Sequence, residues 1–67
     1  MTMTEQELLE WGRKESEMRQ RDLESVTDEA SLKVAQNAAK KRRSVVGLSA
    51  GEAALWVRRA DVDALRA

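Results

Sequence analysis

"AAKKRRSVVGLSAGEAALWVRR", residues 38–59, is the stretch that decides how this chain folds. Four consecutive basic residues precede Val-Val-Gly-Leu-Ser, and an alanine-rich segment follows. A glycine just after a helix commonly adopts the left-handed conformation that ends it. A serine followed three residues later by glutamate is a capping box, which begins a helix. Gly47, Ser49 and Glu52 therefore predict two helices joined by a tight turn.

The same stretch permits a second interpretation, because short apolar runs are ambiguous between helix and strand. Residues 44–48 and 54–58 can form two strands joined by a loop around Gly51. Residues 60–67 would then be a closing helix, giving an α+β fold with a C-terminal β-hairpin, as in a wing or a phage-connector module. Ala53 and Ala54 favour helix over strand. The helical interpretation is therefore preferred, and the β-hairpin is the alternative.

Two helix starts precede this stretch. Thr4 and Glu7 form another capping box, and no proline interrupts the chain after it. Thr27 is the expected N-cap of the second helix, because the acids that follow it complement the positive end of a helix dipole. We expect one all-α, three-helix domain over residues 1–67. Its elements would be an acidic helix over 4–26, a helix with a basic C-terminal end over 28–46 and a C-terminal helix over 49–66.

Charged residues interrupt the apolar stripes of the first two predicted helices. On a helical wheel, Glu15 and Asp22 lie among the apolar residues of the first helix, so we expect this helix to be peripheral or extended. Arg42 lies within the apolar arc of the second helix. Either the last turn of that helix frays, or Arg42 reaches a partner.

The supply of core residues is small. The chain has 67 residues; ten of its hydrophobic residues are alanines and only 18 are Leu, Val, Met or Trp. It contains no Cys and no His, so neither a disulfide nor the usual zinc ligands can reinforce a small core. We therefore expect the fold to need self-association or a partner protein.

The composition also argues against an enzyme. Without His or Cys the chain lacks a general base that works near neutral pH and a thiol nucleophile, and it has no glycine-rich phosphate-binding motif. We predict a non-enzymatic protein with no catalytic residue, metal, cofactor or small-molecule substrate. Because no apolar run reaches even ten residues, we expect a cytoplasmic protein without a membrane span or a secretory signal.

Opposite charges are separated along the chain, although the net charge is zero. Residues 1–30 carry nine acids and four bases, a balance of −5, whereas residues 31–67 carry eight bases and three acids, a balance of +5. Either two halves of a helical bundle attract each other, or one half meets a charged partner. The function that we predict is a small protein-interaction, assembly or regulatory module, such as an antitoxin-like or phage-encoded inhibitor.

An apolar pair on the third predicted helix indicates where such a module would associate. Leu55 and Val62 are seven residues apart and form a small stripe away from the alanine-rich face of this helix. A monomer has little use for this stripe. We predict self-association through Leu55 and Val62, with an accidental exposed pair as the alternative.

Residues 39–59 also resemble the helix-turn-helix unit of DNA-binding proteins. The turn glycine, the apolar residue after it and the capping serine match that unit, although Arg43 stands where a small residue is usual. The resemblance implies the alternative function, a regulatory protein that binds double-stranded DNA. The residues that would bind phosphates or an acidic partner are Lys40, Lys41, Arg42, Arg43, Arg58 and Arg59.

Overall fold

Three α-helices and their connections make up residues 3–66, which are the residues that the computed structural model describes. Helix α1 spans Glu5–Ser25, α2 spans Glu29–Val45 and α3 spans Ala50–Arg66. No strand is present in residues 3–66. The predicted all-α, three-helix fold is confirmed, and residues 1, 2 and 67 of the predicted domain lie outside the described residues.

The β-hairpin alternative is wrong, because residues 44–58 contain the end of α2, a turn and the first half of α3. Gly47 has a φ of +73°. Its N–H donates to the Ser44 carbonyl at 3.0 Å, and the Leu48 N–H donates to the Arg43 carbonyl at 2.9 Å. These two bonds form a Schellman motif, which satisfies carbonyls that the end of a helix leaves free. The helix end predicted at Gly47 is confirmed.

The two capping boxes predicted from the sequence are both present. The Glu7 N–H donates to Thr4 Oγ1 at 3.2 Å, and the Thr4 N–H donates to the Glu7 carboxylate at 3.3 Å. The Glu52 N–H donates to Ser49 Oγ at 3.2 Å, and the Ser49 N–H donates to the Glu52 carboxylate at 3.2 Å. Each box satisfies two N–H groups that have no partner inside the helix.

The N-cap of α2 is Asp28, so the predicted cap at Thr27 is wrong by one residue. The Ser31 N–H donates to the Asp28 carboxylate at 2.8 Å, and the Asp28 N–H donates to Ser31 Oγ at 3.0 Å. The Thr27 N–H also donates to Ser31 Oγ, at 2.9 Å. Threonine and aspartate both cap helices well, and the position of Ser31 three residues after Asp28 decides between them.

Helix α1 packs mainly against α3, at a crossing made of small residues. A Cβ atom on Gly12 would lie 2.8 Å from the Trp56 carbonyl carbon and 3.2 Å from Ala60 Cβ. Ala53 and Ala60 are the buried hydrophobic residues of the described part of the chain. Because these side chains are so small, the two helix backbones come close together.

Helix α2 lies on another side of α1, and α1 is the central helix of the fold. The contact between α2 and α1 is less extensive than the contact between α3 and α1, and the contact between α2 and α3 is the least extensive of the three. None of the residues of α2 is buried. The molecule measures 36 × 29 × 15 Å. Because α2 and α3 lie on different sides of α1 and contact each other least, the molecule is 29 Å broad and only 15 Å thick. The expectation of a peripheral α1 is wrong.

Candidate interaction surfaces

The three charges that interrupt the apolar stripes form one cluster between α1 and α2. Arg42 Nε donates to both carboxylate oxygens of Glu15, at 2.7 and 2.8 Å. Arg42 Nη2 donates to Asp22 Oδ2 at 3.2 Å. Glu15 and Asp22 are seven residues apart, two helical turns, and so lie on the same side of α1. The side chain of Arg42 therefore ties the C-terminal part of α2 to the middle and end of α1.

Burial makes this cluster more than a surface ion pair. Glu15 is only 2% exposed. Burial lowers the pKa of the Arg42 guanidinium, but the hydrogen bonds and charges of Glu15 and Asp22 outweigh this effect and hold the pKa above its ordinary value. Arg19 Nε is buried 4.0 Å from Glu15 Oε1, adding positive charge without a hydrogen bond. The carboxylate of Glu15 thus lies between two guanidinium groups.

Arg42 has its partners within the same chain. The sequence suggested fraying or an external partner, and the structure shows an ordered last turn with Arg42 bound to α1. Helical wheels could have predicted this cluster, because they place two acids on the apolar face of α1 and one base on the apolar face of α2. Opposite charges on the apolar faces of two helices can pair with each other, and the pairing offsets part of the cost of burying either charge alone.

The remaining cations of α2 are directed away from this cluster. Lys33, Lys40 and Lys41 are exposed, Arg43 is half-buried, and no acidic side chain of residues 3–66 lies within 4.0 Å of their charged nitrogens. We call these four residues the basic surface of α2. Lys40 and Arg43 border a shallow depression at the turn between α2 and α3. Of the four consecutive cations in the predicted site, Lys40 and Arg43 thus border one depression, and Arg42 is bonded to α1. Lys41 is exposed on a different side of α2 from Arg43.

Helix α3 has a second amphipathic face, opposite the one that contacts α1. At about 100° per residue, Leu55 and Val62 lie roughly 180° from Ala53 and Ala60. Leu55 is 46% exposed and Val62 is 43% exposed. We call this side the outer face of α3. It consists of Leu55, Arg58, Arg59, Val62, Leu65 and Arg66.

The arginines of the outer face are free of ion pairs within residues 3–66, since no acidic side chain there comes within 4.0 Å. Arg59 is held over the ring of Trp56, with its guanidinium carbon 4.9 Å from the ring centroid. Arg58 and Arg59 line an open groove that also contains Leu9 and Val62. The predicted cations therefore form two separate surfaces, one on α2 and one on α3, that border different depressions.

Comparison of the chain with protein-family models, curated proteins and solved structures finds no match. Among residues 3–66, no three His, Cys, Asp or Glu side chains come together as metal ligands would. None of the helices in this range has both the length and the apolar composition needed to cross a bilayer. The two surfaces must be interpreted from their own chemistry.

Proposed function

We propose that this protein is a non-enzymatic protein-interaction or assembly module that binds its partner through the outer face of α3. The observation that supports the proposal is that the buried hydrophobic residues are small and the exposed ones are large, which is the reverse of the usual arrangement. Within residues 3–66 the buried hydrophobic residues are two alanines, whereas Leu55 and Val62 lie half exposed on the opposite side of the same helix.

The burial of apolar surface favours binding of a partner to the outer face of α3. Burying apolar surface stabilises a protein by about 25 cal/mol per Å². A fold whose buried hydrophobic side chains, within residues 3–66, are two alanines gains little from its interior. Covering Leu55 and Val62 on association would supply burial that the isolated chain lacks. A stripe of two large apolar residues rimmed by arginines also matches the general anatomy of interfaces, in which an apolar centre lies inside a polar rim.

Site-specific photo-crosslinking in the host tests the proposal. A photoreactive phenylalanine analogue replaces Leu55, and the matched control carries it at Glu17, an exposed position on α1. We expect a discrete crosslinked species from position 55 and none from position 17. Equal yields at both positions, or no product at position 55, would contradict the proposal. A product with twice the mass of the chain would identify self-association, the partner predicted from the sequence.

Binding to double-stranded DNA is the second candidate function. The basic surface of α2 favours it, because its cations have no ion pair in the described chain and flank a turn that resembles a helix-turn-helix unit. With Arg42 bound to α1, four cations remain on this surface: Lys33, Lys40, Lys41 and Arg43. Their phosphate contacts would give a log–log salt slope of roughly −3 to −4.

The DNA hypothesis is tested by the double substitution Lys40→Gln and Lys41→Gln. If these residues bind phosphates, affinity for any duplex falls about equally and the salt slope becomes shallower by roughly two units. Lys14→Gln, on exposed α1 surface, is the control and should change neither quantity. If the unmodified protein binds no duplex at about 50 mM salt, where electrostatic attraction is strong, DNA binding is ruled out.

A further inference from the structure

We infer that the occupant of the outer face of α3 is an acidic amphipathic helix of another protein, and not a second copy of this chain. The inference rests on the proposed function and names the chemistry of the partner. Three features of the described residues lead to it: the spacing of the apolar pair, the unpaired arginines beside it, and the lack of a complementary surface on the chain itself.

The apolar pair has the geometry that a helix recognises. Leu55 and Val62 are seven residues apart, so they lie two turns or about 10.5 Å apart along the axis of α3. A heptad spacing of apolar residues is what a partner helix matches when its own apolar residues recur every three or four positions. The groove that joins Val62 to Leu9 extends this apolar surface towards α1.

The charges beside the pair select an acidic partner. Arg58, Arg59 and Arg66 are exposed and have no ion pair within residues 3–66. Glu5 and Asp63 also line the groove, but neither comes within 4.0 Å of an arginine nitrogen. Carboxylates placed on both sides of the partner's apolar stripe would meet the arginines, which gives attraction on approach and fixes the register of the helix pair.

Like charges oppose the pairing of α3 with α3 of a second copy. In an antiparallel pair that brings Leu55 against Val62, Arg58 of each chain faces Arg59 of the other. In a parallel pair Arg58 of one chain faces Arg58 of the other, because it shares the seam with Leu55 and Val62, whereas Arg59 lies at the edge of the seam. Both arrangements therefore oppose arginines beside the apolar pair, and charges of one sign directly opposed weaken association.

The other helices of a second copy do not complement the outer face either. The exposed large apolar residues of α1 are Met18 and Leu23, which lie about 140° apart on the helix and form no stripe. On α2, Val34 and Val45 share one side, but Lys41 lies between them on that side. Within the described residues, no surface of this chain is both apolar over two turns and acidic.

The test uses a fluorescently labelled helical peptide about three heptads long, with Leu at the first and fourth heptad positions and Glu at the flanking positions. A matched peptide carries Lys in place of Glu. Fluorescence anisotropy with the full chain should show binding of the acidic peptide and none of the basic one. Leu55→Ser should weaken that binding by about 10-fold or more, whereas Val45→Ser, at an exposed position on α2, should leave it unchanged.

A second variant separates the role of charge from that of apolar contact. Arg58→Gln with Arg59→Gln keeps the apolar pair, and should weaken binding of the acidic peptide several-fold and reduce its dependence on salt. Circular dichroism confirms that each variant keeps its helix content. Equal binding of both peptides, or no binding of the acidic one, would overturn the inference.

Other occupants would appear as distinct results, each of which overturns the inference. Sedimentation that shows a dimer dissociated by Leu55→Ser identifies a second copy. Co-sedimentation with vesicles of phosphatidylglycerol, lost in the same variant, identifies an anionic membrane surface. If position 55 crosslinks to another protein in the host while the acidic peptide does not bind, the inference fails and the proposed function stands. If neither occurs, both fail.

Discussion

The two contacts that α1 makes in this fold depend on different physics. Against α3, α1 presents Gly12 to the backbone of Trp56 and to Ala60, and the helices approach closely because the side chains are small. Against α2, α1 presents Glu15 and Asp22 to Arg42, and the contact depends on charge. One helix is thus attached to its neighbours on one side by shape and on another by electrostatics.

The residues on the two contact surfaces explain why the α1–α3 contact depends on shape and the α1–α2 contact on charge. The side of α2 that faces α1 offers Ala35, Ala38 and Ala39, all only half-buried, so apolar burial there is limited. Hydrogen bonds between charged groups supply the stabilisation that burial of these alanines does not provide. On the α3 side, the absence of a side chain at Gly12 permits close van der Waals contact over the crossing. Substitutions that act on shape should therefore affect α3, and those that act on charge should affect α2.

The largest expected effect comes from adding a single methyl group to the α1–α3 crossing. Gly12→Ala would place a Cβ atom 2.8 Å from the Trp56 carbonyl carbon, which cannot move without shifting the backbone of α3. We expect the free energy of unfolding to fall by about 3 kcal/mol, measured by urea denaturation. That is most of the roughly 3–5 kcal/mol available to a domain of this size.

Gly51→Ala is the matched control for this substitution. Gly51 is also helical, but a Cβ atom there meets nothing within 4 Å. The higher helix propensity of alanine should leave stability unchanged or raise it by up to about 1 kcal/mol. If both alanine variants behave alike, the close crossing is not what holds α3 to α1.

An intermediate effect is expected from breaking the charged contact. Arg42→Met leaves the buried carboxylate of Glu15 without its principal partner. Removing one member of a fully buried pair costs roughly 3–5 kcal/mol, and the partial exposure of Arg42 reduces our expectation to about 2 kcal/mol. Hydrogen exchange should show faster opening of the amides of α2, while those at the α1–α3 crossing keep their relative protection.

The double substitution Glu15→Met and Arg42→Met is the control for the charged contact. Removing both charges leaves no fully buried carboxylate, although the partly exposed Arg19 and Asp22 each lose one partner, and apolar side chains of similar length can fill the space. Urea denaturation should therefore show that most of the lost stability returns. A double variant as unstable as Arg42→Met alone would mean that the contact depends on side-chain shape after all.

The smallest effect is expected at the N-terminus of α2, as the pH is lowered. The hydrogen bond from the Ser31 N–H, together with the one from its hydroxyl, holds the pKa of Asp28 below its ordinary value. The cap therefore contributes its full stability above an ordinary carboxyl pKa of about 4. It loses that contribution as the pH falls from there through the lowered pKa of the folded state.

Carbon NMR of the Asp28 carboxyl group against pH checks this prediction. The midpoint should lie below that of an aspartate in an unstructured peptide, and the first turn of α2 should lose protection from hydrogen exchange in the same pH range. Ser31→Ala is the control, because it removes the hydroxyl but keeps the backbone N–H, and should return only part of the shift. An Asp28 midpoint at the ordinary value would contradict the capping geometry.

The local features of this fold could be predicted from the sequence because they are set by residues three or four positions apart. The boxes at Thr4 and Ser49 and the turn at Gly47 each depend on a few neighbouring groups. The error at the N-cap of α2 has the same local origin, because the hydroxyl of Ser31 decides between Thr27 and Asp28. The spacing of Leu55 and Val62 also places this pair away from the buried face of α3, where both side chains are exposed; self-association through them stays a prediction.

Only the tertiary structure decided which charges meet and which helix is central. Glu15 and Arg42 are 27 positions apart, so their pairing depends on how α2 folds back on α1 and not on any local pattern. The role of Gly12 likewise appears only when the α3 backbone lies against it. Local hydrogen bonds fix the ends of helices in a single chain segment, whereas burial and charge pairing require two segments to be brought together. The sequence by itself therefore determined three helices, the capping boxes at Thr4 and Ser49 and the turn at Gly47. Packing of α2 on α1 brought together the charges on their apolar faces and made them the contact between these two helices.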